Sequence, residues 1–310
     1  MATKLGKSLV YNLPVQSLKL SYLIFELFNF KDSLQAGFPR SPHKIRSNMA
    51  KLPEKDAEKS VFGLDGKVAL ITGASKGIGE DIARIFARFG AKVVISSRRQ
   101  STLDGVVAEI RKEGGEACGI AAHAGDHDQL RHLVDKTVEV YGGIDILVNN
   151  AATNPVFGPA IECDLTAFDK IMQVNVKAPF ELSKMVHPIM KARGGGSIIM
   201  MSSIAGETPD PGLGIYSVSK AGLNMLTKVL AKEWGADHIR VNAICPGLIK
   251  TKFSQALWQD EAILARFTHR LPIARMGTTD EISPLALFLA SDASAYCTGS
   301  LFHADGGTLI

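Results

Sequence analysis

A tyrosine and a lysine four residues apart are the first pair in this chain whose spacing predicts chemistry. Tyr216 and Lys220 stand at the two ends of "YSVSK" (216–220). On an α-helix, residues i and i+4 lie on one face, so the phenol and the ammonium would be neighbours. A phenol can protonate a carbonyl oxygen that gains negative charge, and a nearby ammonium lowers its pKa from about 10. The pair is therefore predicted to be an acid/base unit, although such a pair also occurs on ordinary helix surfaces.

Two further polar positions add groups to this chemistry. Ser202 and Ser203 end the apolar stretch "IIMMSS" and precede Tyr216 by one loop. A hydroxyl placed there could hold a substrate oxygen. Asn175 interrupts a helical pattern in "VNVKAPF", where asparagine has a poor propensity. A role in holding a water of a proton relay to Lys220 would explain this placement; a surface or kink asparagine is the alternative.

A glycine-rich turn, "TGASKGIG" (72–79), lies between an apolar strand and a helical pattern. Gly73 permits a tight turn, Gly77 lets backbone approach a pyrophosphate, and Gly79 lets the helix pack against the strand. The helix N-terminus then offers free N–H groups to phosphate. A glycine turn without a ligand is the alternative. The predicted nucleotide contacts of this turn are Gly73, Ser75, Lys76, Gly77, Ile78 and Gly79.

The ends of two later strands predict the kind of nucleotide. "VVISSRRQ" ends the second strand with Ser97 and Arg98, where an NAD-binding fold often carries an acid for the ribose 2′-hydroxyl. A guanidinium binds a 2′-phosphate that a carboxylate would repel, so the cofactor is predicted to be NADP(H). Arg98 is preferred to Arg99 because it directly follows Ser97, and solvated surface arginines are the alternative. Asn149, in "DILVNNAA", is also predicted to contact the cofactor; a turn-forming asparagine is its alternative.

Short apolar strands alternate with amphipathic helices from residue 66 onward. "KVALIT", "AKVVISS", "IDILVNN" and "GSIIMMSS" are typical of buried parallel strands, and a helix is predicted from about Ile215 to Trp234. This alternation predicts an α/β protein with a single Rossmann-type, doubly wound parallel sheet and helices on both faces. The fold is predicted to occupy residues 61–310, after an extension at 1–60.

Composition excludes several classes of function. The net charge of +4 arises in residues 1–48, which carry +5, and the remainder carries −1. The globular part therefore has no charge excess that would favour nucleic acid. Four cysteines lie far apart without a CxxC pair, so neither a disulfide framework nor a metal site is predicted. A reducing compartment fits this pattern, and we predict a cytoplasmic location.

The first 60 residues differ from the rest. "LSYLIFELFNF" (20–30) is apolar but contains Glu26 and Asn29, and no run of 18 apolar residues predicts an ordinary membrane span. Three interpretations stay open for residues 1–48. They could be a targeting or membrane-surface segment, a helix that packs on the body or a partner, or residues absent from a protein that starts at Met49.

Together these motifs resemble the short-chain dehydrogenase/reductase family over about residues 63–307. The glycine turn, "NNA", Asn175, Ser203, Tyr216, Lys220 and "CPG" occur in that family's order. The resemblance implies that the tyrosine is the acid/base and that the serine orients the carbonyl. It also implies that the lysine binds the nicotinamide ribose and tunes the tyrosine, while the asparagine supports a water relay. The family's serine lies thirteen residues before its tyrosine, which selects Ser203 over Ser202.

The resemblance extends to the nicotinamide side and to a narrower group. "PGLIKT" resembles the segment that touches the nicotinamide, which implicates Pro246, Gly247, the Ile249 backbone and Thr251. "YGGIDILVNNAATNPVFG" and "PGLIKTKFSQALWQD" are similar to NADPH-dependent carbonyl and retinal reductases of the dehydrogenase/reductase member 4 type and their bacterial relatives. Ala152 and His123 depart from the wider family, which often has glycine and an adenine-binding aspartate there. The peroxisomal signal of the animal enzymes does not carry over, since this chain ends "GTLI".

The segment 251–275 is predicted to be a substrate lid. Its apolar residues recur near helical spacing and could line a pocket, or they could pack on the body or on another subunit: Phe253, Leu257, Trp258, Ile263, Leu264 and Phe267. "NPVFG" (154–158) is predicted to form the opposite wall. The predicted activity is NADP(H)-dependent hydride transfer involving apolar ketones or aldehydes. A 3-oxoacyl-thioester reductase and a nucleotide-binding scaffold without turnover are the alternatives, and the resemblance implies a homotetramer.

Overall fold

The computed structural model describes residues 61–259, 261–269 and 271–310. The predictions for residues 1–60, including membrane contact, targeting and a start at Met49, lie outside the described residues. Within the part that is described, no helix combines the length and the apolar character needed to cross a membrane.

Seven parallel strands form one sheet in the order β3-β2-β1-β4-β5-β6-β7. The strands are β1 (Val68–Thr72), β2 (Lys92–Ser97), β3 (Glu116–Ala121), β4 (Ile146–Asn149), β5 (Gly196–Met201), β6 (Ile239–Pro246) and β7 (Leu301–Ala304). The strand order reverses between β1 and β4, which are direct neighbours. Ligands bind such sheets in the crevice beyond the carboxyl ends of the strands at this reversal. The predicted fold class is confirmed.

Helices cover both faces of the sheet. They are α1 (Ile78–Arg88), α2 (Gln100–Lys112), α3 (His127–Tyr141), α4 (Leu165–Met172), α5 (Ala178–Ala192), α6 (Gly214–Trp234), α7 (Glu261–Thr268) and α8 (Ser283–Ala290). Ala69 and Ile71 of β1 pack in one core cluster with α1, α2 and α8, while Leu70 packs in the other with α3, α5 and α6. Successive side chains on a strand point to opposite faces, so apolar strands supply both cores.

Local signals set several helix boundaries. The carboxylate of Asp126 accepts hydrogen bonds from the N–H groups of Asp128 and Gln129 at the start of α3. Gly142 ends that helix in the left-handed region, with φ at 79°, where glycine has no steric penalty. The helix predicted from about Ile215 to Trp234 is α6, which begins one residue earlier, at Gly214.

A π-helical turn, Gln173–Lys177, joins α4 to α5 without a break in the helix. Asn175 lies inside this turn and is buried. Such turns carry one extra residue and occur frequently at functional sites. The poor helix propensity of asparagine therefore coincides with a real irregularity of the backbone.

The connection from β6 to α8 forms a loop that is closed at its base. An isolated parallel bridge pairs Ile249 with Gly277. The N–H of Lys250 donates to the Gly277 carbonyl, and the N–H of Gly277 donates to the Leu248 carbonyl, both at 3.0 Å. Between these points, a short 3₁₀ turn (Gln255–Leu257) precedes α7.

Candidate active site

A cavity of about 840 Å³ lies beyond the carboxyl ends of the central strands. Eleven of the predicted site residues line it: Gly73, Ser75, Lys76, Gly77, Ile78, Ser97, Arg98, Tyr216, Lys220, Pro246 and Thr251. The other predicted residues are not part of its lining: Gly79, Asn149, Asn175, Ser203, Gly247 and Ile249. The fold thus brings the glycine turn and the Tyr/Lys pair to one cavity.

The glycine turn has the shape of an anion cradle. Gly73 and Gly77 both have φ at +66°, a conformation that side chains rarely permit. A Cβ on Gly77 would approach only the Thr251 methyl group, at 3.5 Å, across the cavity. Gly77 is also the N-cap of α1 and provides no side-chain cap for the helix. The first N–H groups of α1 are therefore available to a phosphate at the cavity edge.

Gly79 has a packing role. A Cβ at this position would lie 2.5 Å from Asn150 Nδ2 and 2.7 Å from the Gly73 carbonyl oxygen. Asn150 Nδ2 donates to the carbonyls of Thr72 (2.9 Å) and Gly73 (3.0 Å). The Asn150 amide therefore fixes the glycine turn, and a larger residue at 79 would displace it.

Asn149 ends β4, as the sequence argument predicted, but its side chain does not line the cavity. Its side chain is buried, and Nδ2 contacts Ser183 Oγ at 3.2 Å and Met200 Sδ at 3.3 Å. The last residue of β4 points into the core because of the strand alternation, and the next residue points toward the cavity. Asn150 lines the cavity, so the side chain at the cofactor end belongs to Asn150.

Seven basic side chains line the cavity. They are Lys76, Arg98, Arg99, Lys170, Lys220, Lys250 and Lys252. No aspartate or glutamate is among the described residues of its lining. All of the cations except Lys220 are exposed. The cavity therefore favours a ligand with several negative charges, because like charges repel and opposite charges attract at such distances.

Tyr216 and Lys220 share one face of α6, as their spacing predicts. Lys220 Nζ lies 5.5 Å from the centre of the Tyr216 ring and donates to the Met201 carbonyl at 2.7 Å. Lys220 is only 2% exposed, whereas Tyr216 is half-buried at the cavity wall. The ammonium is thus held in place beneath the phenol by the end of β5.

Burial dominates the pKa values of this pair. It raises the pKa of Tyr216 to about 12, against a hydrogen bond from Ser203 that lowers it. Burial also lowers the pKa of Lys220 to about 8. The sequence argument expected Lys220 to lower the pKa of the Tyr216 phenol. Burial outweighs any such effect, because both groups lose hydration. At neutral pH the phenol therefore carries its proton, and the lysine is still mostly in its ammonium form.

The two serines after β5 have different partners. Ser202 Oγ is buried and donates to Asn224 Oδ1 (2.5 Å) and the Lys220 carbonyl (3.3 Å). Ser203 Oγ accepts from the Ala205 N–H at 3.1 Å and hydrogen-bonds the Tyr216 phenol. Ser203 is therefore the serine beside the phenol, and Ser202 supports the backbone of α6.

The Asn175 side chain is engaged on three sides. Its Oδ1 accepts from the Thr153 N–H at 2.8 Å, and its Nδ2 donates to the Thr153 carbonyl (2.9 Å) and to Ser219 Oγ (3.0 Å). Ser219 lies on α6 between Tyr216 and Lys220. The amide therefore joins the segment after β4 to the helix that carries the acid/base pair, and both of its N–H groups are already used.

The segment after β6 reaches the cavity at two of its predicted positions. Pro246 and Thr251 line the cavity, and Thr251 Oγ1 lies 3.1 Å from Ser254 Oγ. The Ile249 carbonyl accepts from Ser254 Oγ at 2.5 Å. A Cβ on Gly247 would lie 2.8 Å from the Asp305 backbone, so that glycine serves close packing of the chain.

Three residues of the predicted lid segment, Thr251, Lys252 and Phe253, line the cavity, and Phe253 is the apolar one among them. Phe253 is exposed and lines it, with its ring centre 6.0 Å from that of Tyr216. Trp258 instead donates from Nε1 to the Thr251 carbonyl at 3.1 Å, and Lys250 Nζ stands over its ring. The predicted opposite wall is also displaced, since Phe157 lies against Gly212 and outside the cavity lining.

Several cavity residues were not chosen from the sequence. Arg99 lines the cavity together with Arg98, although the sequence argument preferred Arg98 because it directly follows Ser97. Lys250 and Lys252 belong to the "PGLIKTK" segment. Their positions on each side of Thr251, a predicted site residue, could have indicated that they line the cavity. Lys170, on α4, had no local signal because only the tertiary fold brings that helix to the cavity.

The comparisons with known proteins agree with this geometry. The family described as Enoyl-(Acyl carrier protein) reductase matches residues 73–308. The chain belongs to the short-chain dehydrogenase/reductase family, and it is an oxidoreductase of CH–OH and C=O groups. The resemblance found in the sequence is thereby confirmed.

The similar proteins include one dehydrogenase solved with NADH and another solved with NADP. Dehydrogenase/reductase SDR family member 4 of Oryctolagus cuniculus is 45% identical over 79% of this chain and 94% of its own length. A 7α-hydroxysteroid dehydrogenase with NADH and a 7-oxo bile acid superposes with a TM-score of 0.78 at 34% identity, covering 81% and 98%. A gluconate 5-dehydrogenase from Burkholderia cenocepacia with NADP and tartrate gives the same TM-score, identity and coverage.

Proposed function

We propose that this protein is an NADP(H)-dependent carbonyl reductase of apolar ketones or aldehydes, with Tyr216 as the acid/base. The observation that carries the proposal is the shared cavity. Its glycine turn and free helix N-terminus stand at one end, and the Tyr216/Lys220 pair stands at the other. Its volume of about 840 Å³ is within the usual range of ligand and cofactor sites.

The residues present fit a dinucleotide cofactor. The N–H groups at the start of α1 would hold the pyrophosphate beside Gly77, and Arg98 would hold the adenosine ribose phosphate beyond Ser97. The buried Lys220 ammonium would reach the nicotinamide ribose. When bound, NADPH supplies the hydride that the carbonyl carbon receives.

The chain's own residues handle the proton. Tyr216, with a pKa near 12, carries its proton at neutral pH and donates it from Oη to the substrate oxygen as negative charge develops there. Ser203, hydrogen-bonded to the phenol, orients that oxygen. The Lys220 ammonium, held by the Met201 carbonyl, stabilises the phenolate that remains. We propose that Asn175 contributes by positioning α6 through Ser219.

The preference for NADP(H) over NAD(H) rests on charge. Six exposed cations and no described acid surround the cavity, and Arg98 follows β2 at the place of ribose recognition. A 2′-phosphate adds about two negative charges, and such charges form strong, charge-assisted hydrogen bonds with guanidinium groups. The apolar substrate class rests on Phe253, the aromatic side chain nearest to Tyr216 on the cavity wall.

The test measures oxidation of NADPH and of NADH by the purified full chain. Substrates are aromatic ketones, retinal-like aldehydes and an acetoacetyl thioester, each at several concentrations. We expect kcat/KM to be higher with NADPH and higher on the free ketones or aldehydes. Turnover confined to the thioester would replace the proposal with a 3-oxoacyl-thioester reductase. Binding of NADPH without turnover on any substrate would favour a scaffold.

We also propose that the protein is a homotetramer in the cytoplasm. Val218, Met225 and Val229 expose apolar side chains on one side of α6, a surface that a second copy could cover. Light scattering after size-exclusion chromatography is expected to give four times the mass of one chain. A monomeric mass at micromolar concentration would contradict the proposed assembly.

A further inference from the structure

Three potential metal ligands converge beside the active site. Glu207, Cys245 and His303 each offer one ligand atom, and these atoms all lie within 4.8 Å of one another. Their wide separation along the chain explains why the sequence predicted no metal site. None of the three lines the cavity or belongs to the proposed acid/base machinery.

The sheet determines this convergence. Cys245 and His303 are register partners on the adjacent parallel strands β6 and β7, so their side chains start from neighbouring positions on one face. Glu207 follows the 3₁₀ turn Ile204–Gly206. A Cβ on Gly206 would lie 2.8 Å from the Lys220 backbone, so this turn is packed against α6. The three ligands are therefore carried by rigid elements and not by a free loop.

The cluster has a buried base and an open mouth. Cys245 is fully buried, while the side chains of Glu207 and His303 are 36% and 35% exposed. His303 Nε2 lies 2.6 Å from Glu207 Oε1, so the imidazole and the carboxylate already face each other. Solvent reaches the cluster from the Glu207 and His303 side, with the thiol beneath.

A polar wall closes the buried side. Asn224 is buried, and its Oδ1 lies 3.8 Å from Cys245 Sγ. Its Nδ2 has no hydrogen-bond partner among the described residues. That Nδ2 lies on the Gly206 side, where a Cβ would come within 2.8 Å of it. An amide N–H is a donor and cannot ligate a cation, so only the Oδ1 side of Asn224 faces the three ligands.

We propose that Glu207, Cys245 and His303 bind a zinc-type divalent cation. Thiolate, imidazole and carboxylate are the ligand types that zinc prefers, at about 2.0–2.3 Å from the metal. Tetrahedral geometry at those lengths places ligand atoms about 3.3–3.8 Å apart. The 2.6 Å separation of His303 Nε2 from Glu207 Oε1 is shorter than this, so binding requires the two side chains to move apart. A water completes the four-coordinate shell on the open side.

The bound cation would join three elements of the active-site edge. Glu207 lies in the connection that begins with Ser203 and ends at Tyr216, and the other two ligands lie at the ends of β6 and β7. Binding therefore stabilises this connection against the sheet. None of the three ligands lines the cavity, so the proposed role of the cation is structural.

The test is a titration of the full chain with Co²⁺ as a spectroscopic substitute for zinc. A thiolate ligand gives a charge-transfer band in the near ultraviolet, and tetrahedral Co²⁺ gives intense visible bands. We expect one equivalent to bind, both signatures to appear, and Zn²⁺ to displace them. Zn²⁺ is also expected to raise the Tm of the wild type.

Matched variants assign the ligands. Cys245→Ser is expected to abolish the thiolate band, whereas Cys297→Ser, which removes a half-buried cysteine elsewhere, retains it. Glu207→Gln and His303→Gln, at the exposed side, are expected to weaken Co²⁺ binding at least about 10-fold even if Cys245→Ser does not fold. The proposal is wrong if wild type shows no thiolate band, if Cys245→Ser keeps it, or if neither glutamine variant changes the affinity.

Discussion

The cations of the cavity differ sharply between its mouth and its base. Six of them, among them Arg98 and Lys76, are exposed, and none pairs with a carboxylate in the described part of the chain. The seventh, Lys220, is buried and has one backbone partner at 2.7 Å. Exposed charges keep most of their hydration and act over the Debye length, whereas a buried charge is weakly screened and changes its pKa. The mouth is thus suited to attracting and selecting an anion, and the base is suited to proton chemistry.

This contrast explains why charge alone does not define the catalytic group. A cation at the mouth adds to a summed field, so the loss of one is expected to be partly compensated by the others. Lys220 has no substitute at the base, because the other cations are exposed. The following predictions test this difference, beginning with the group that Lys220 supports.

Tyr216→Phe is expected to reduce kcat by about 10³-fold or more, because it removes the proton donor and retains the ring. The Kd for NADPH is expected to change less than about threefold, since the cofactor end of the cavity is untouched. Steady-state kinetics measure kcat, and fluorescence titration measures the Kd for NADPH. Tyr296→Phe, at a fully exposed tyrosine, is the control and should leave both values unchanged. Retained turnover in Tyr216→Phe would refute the acid/base assignment.

Lys220→Met is expected to change how stability depends on pH. The pKa of Lys220 is about 8 in the folded protein, against an ordinary 10.5, so the unfolded chain binds this proton more tightly. The wild-type free energy of unfolding therefore gains about 3 kcal/mol from this group as pH rises from about 8 to 10.5, and the variant lacks that gain. Denaturant unfolding at several pH values across this range measures the free energy of unfolding of both proteins.

The difference between the wild type and the variant is the quantity to compare. Tyr216 and Cys245, whose folded-state pKa values are raised, act in the opposite direction at alkaline pH. Tyr216 is present in both proteins, so its contribution largely cancels, whereas the pKa of Cys245 is itself lowered by Lys220 and is expected to rise further in the variant. Lys228→Met, at an exposed lysine of the same helix, is the control and should track the wild type. An unchanged pH dependence in Lys220→Met would show that the lysine is not the buried cation described here.

Arg98→Ala is expected to raise the Kd for NADPH about 10- to 100-fold and the Kd for NADH less than about threefold. The reason is the loss of charge-assisted hydrogen bonds to a 2′-phosphate, which NADH lacks. Isothermal titration with each nucleotide, at two salt concentrations, measures the difference. Arg88→Ala removes an exposed arginine of α1 outside the cavity lining and should affect neither. Equal weakening of both nucleotides would mean that Arg98 has no 2′-phosphate role.

Phe253→Ala is expected to have the smallest effect, about a fivefold rise in KM for apolar carbonyls with little change in NADPH affinity. The variant removes one exposed aromatic wall near Tyr216 and leaves the proton donor in place. The prediction is checked by measuring KM for a series of ketones of increasing size. Phe157→Ala serves as the comparison, since Phe157 is exposed but outside the cavity lining. A larger effect from Phe157→Ala would favour the sequence prediction that residues 154–158 form a wall of the substrate site.

The order of strands and helices followed from periodicity. Apolar strands bounded by glycine, such as β1, and amphipathic helices such as α1 leave few alternatives to a parallel sheet with crossover helices. The extent of α6 was predicted to within one residue, and the helix lies between Gly212 and Gly235. The π turn at Asn175 was not predicted, because its hydrogen-bond pattern depends on contacts with Thr153 and Ser219 from distant segments.

The site was predictable where short-range spacing determines position. The i, i+4 rule places Tyr216 and Lys220 together, and positive φ requires glycine at Gly77. It was not predictable where a one-residue choice depends on strand phase, as with Asn149 and Asn150. The pKa values also depend on burial, which cannot be inferred from the spacing of residues in the sequence. The Glu207–Cys245–His303 cluster required the β6–β7 register, which only the folded sheet provides.

The backbone bridge between Ile249 and Gly277 has a consequence for how such enzymes diversify. Two hydrogen bonds of 3.0 Å close the base of the loop that carries Phe253 and Trp258, so the length and composition of that loop are largely independent of the sheet. A loop of another size could be exchanged between residues 252 and 276 without moving the strands that hold the glycine turn. The bridge thus makes this loop an interchangeable module on a constant sheet.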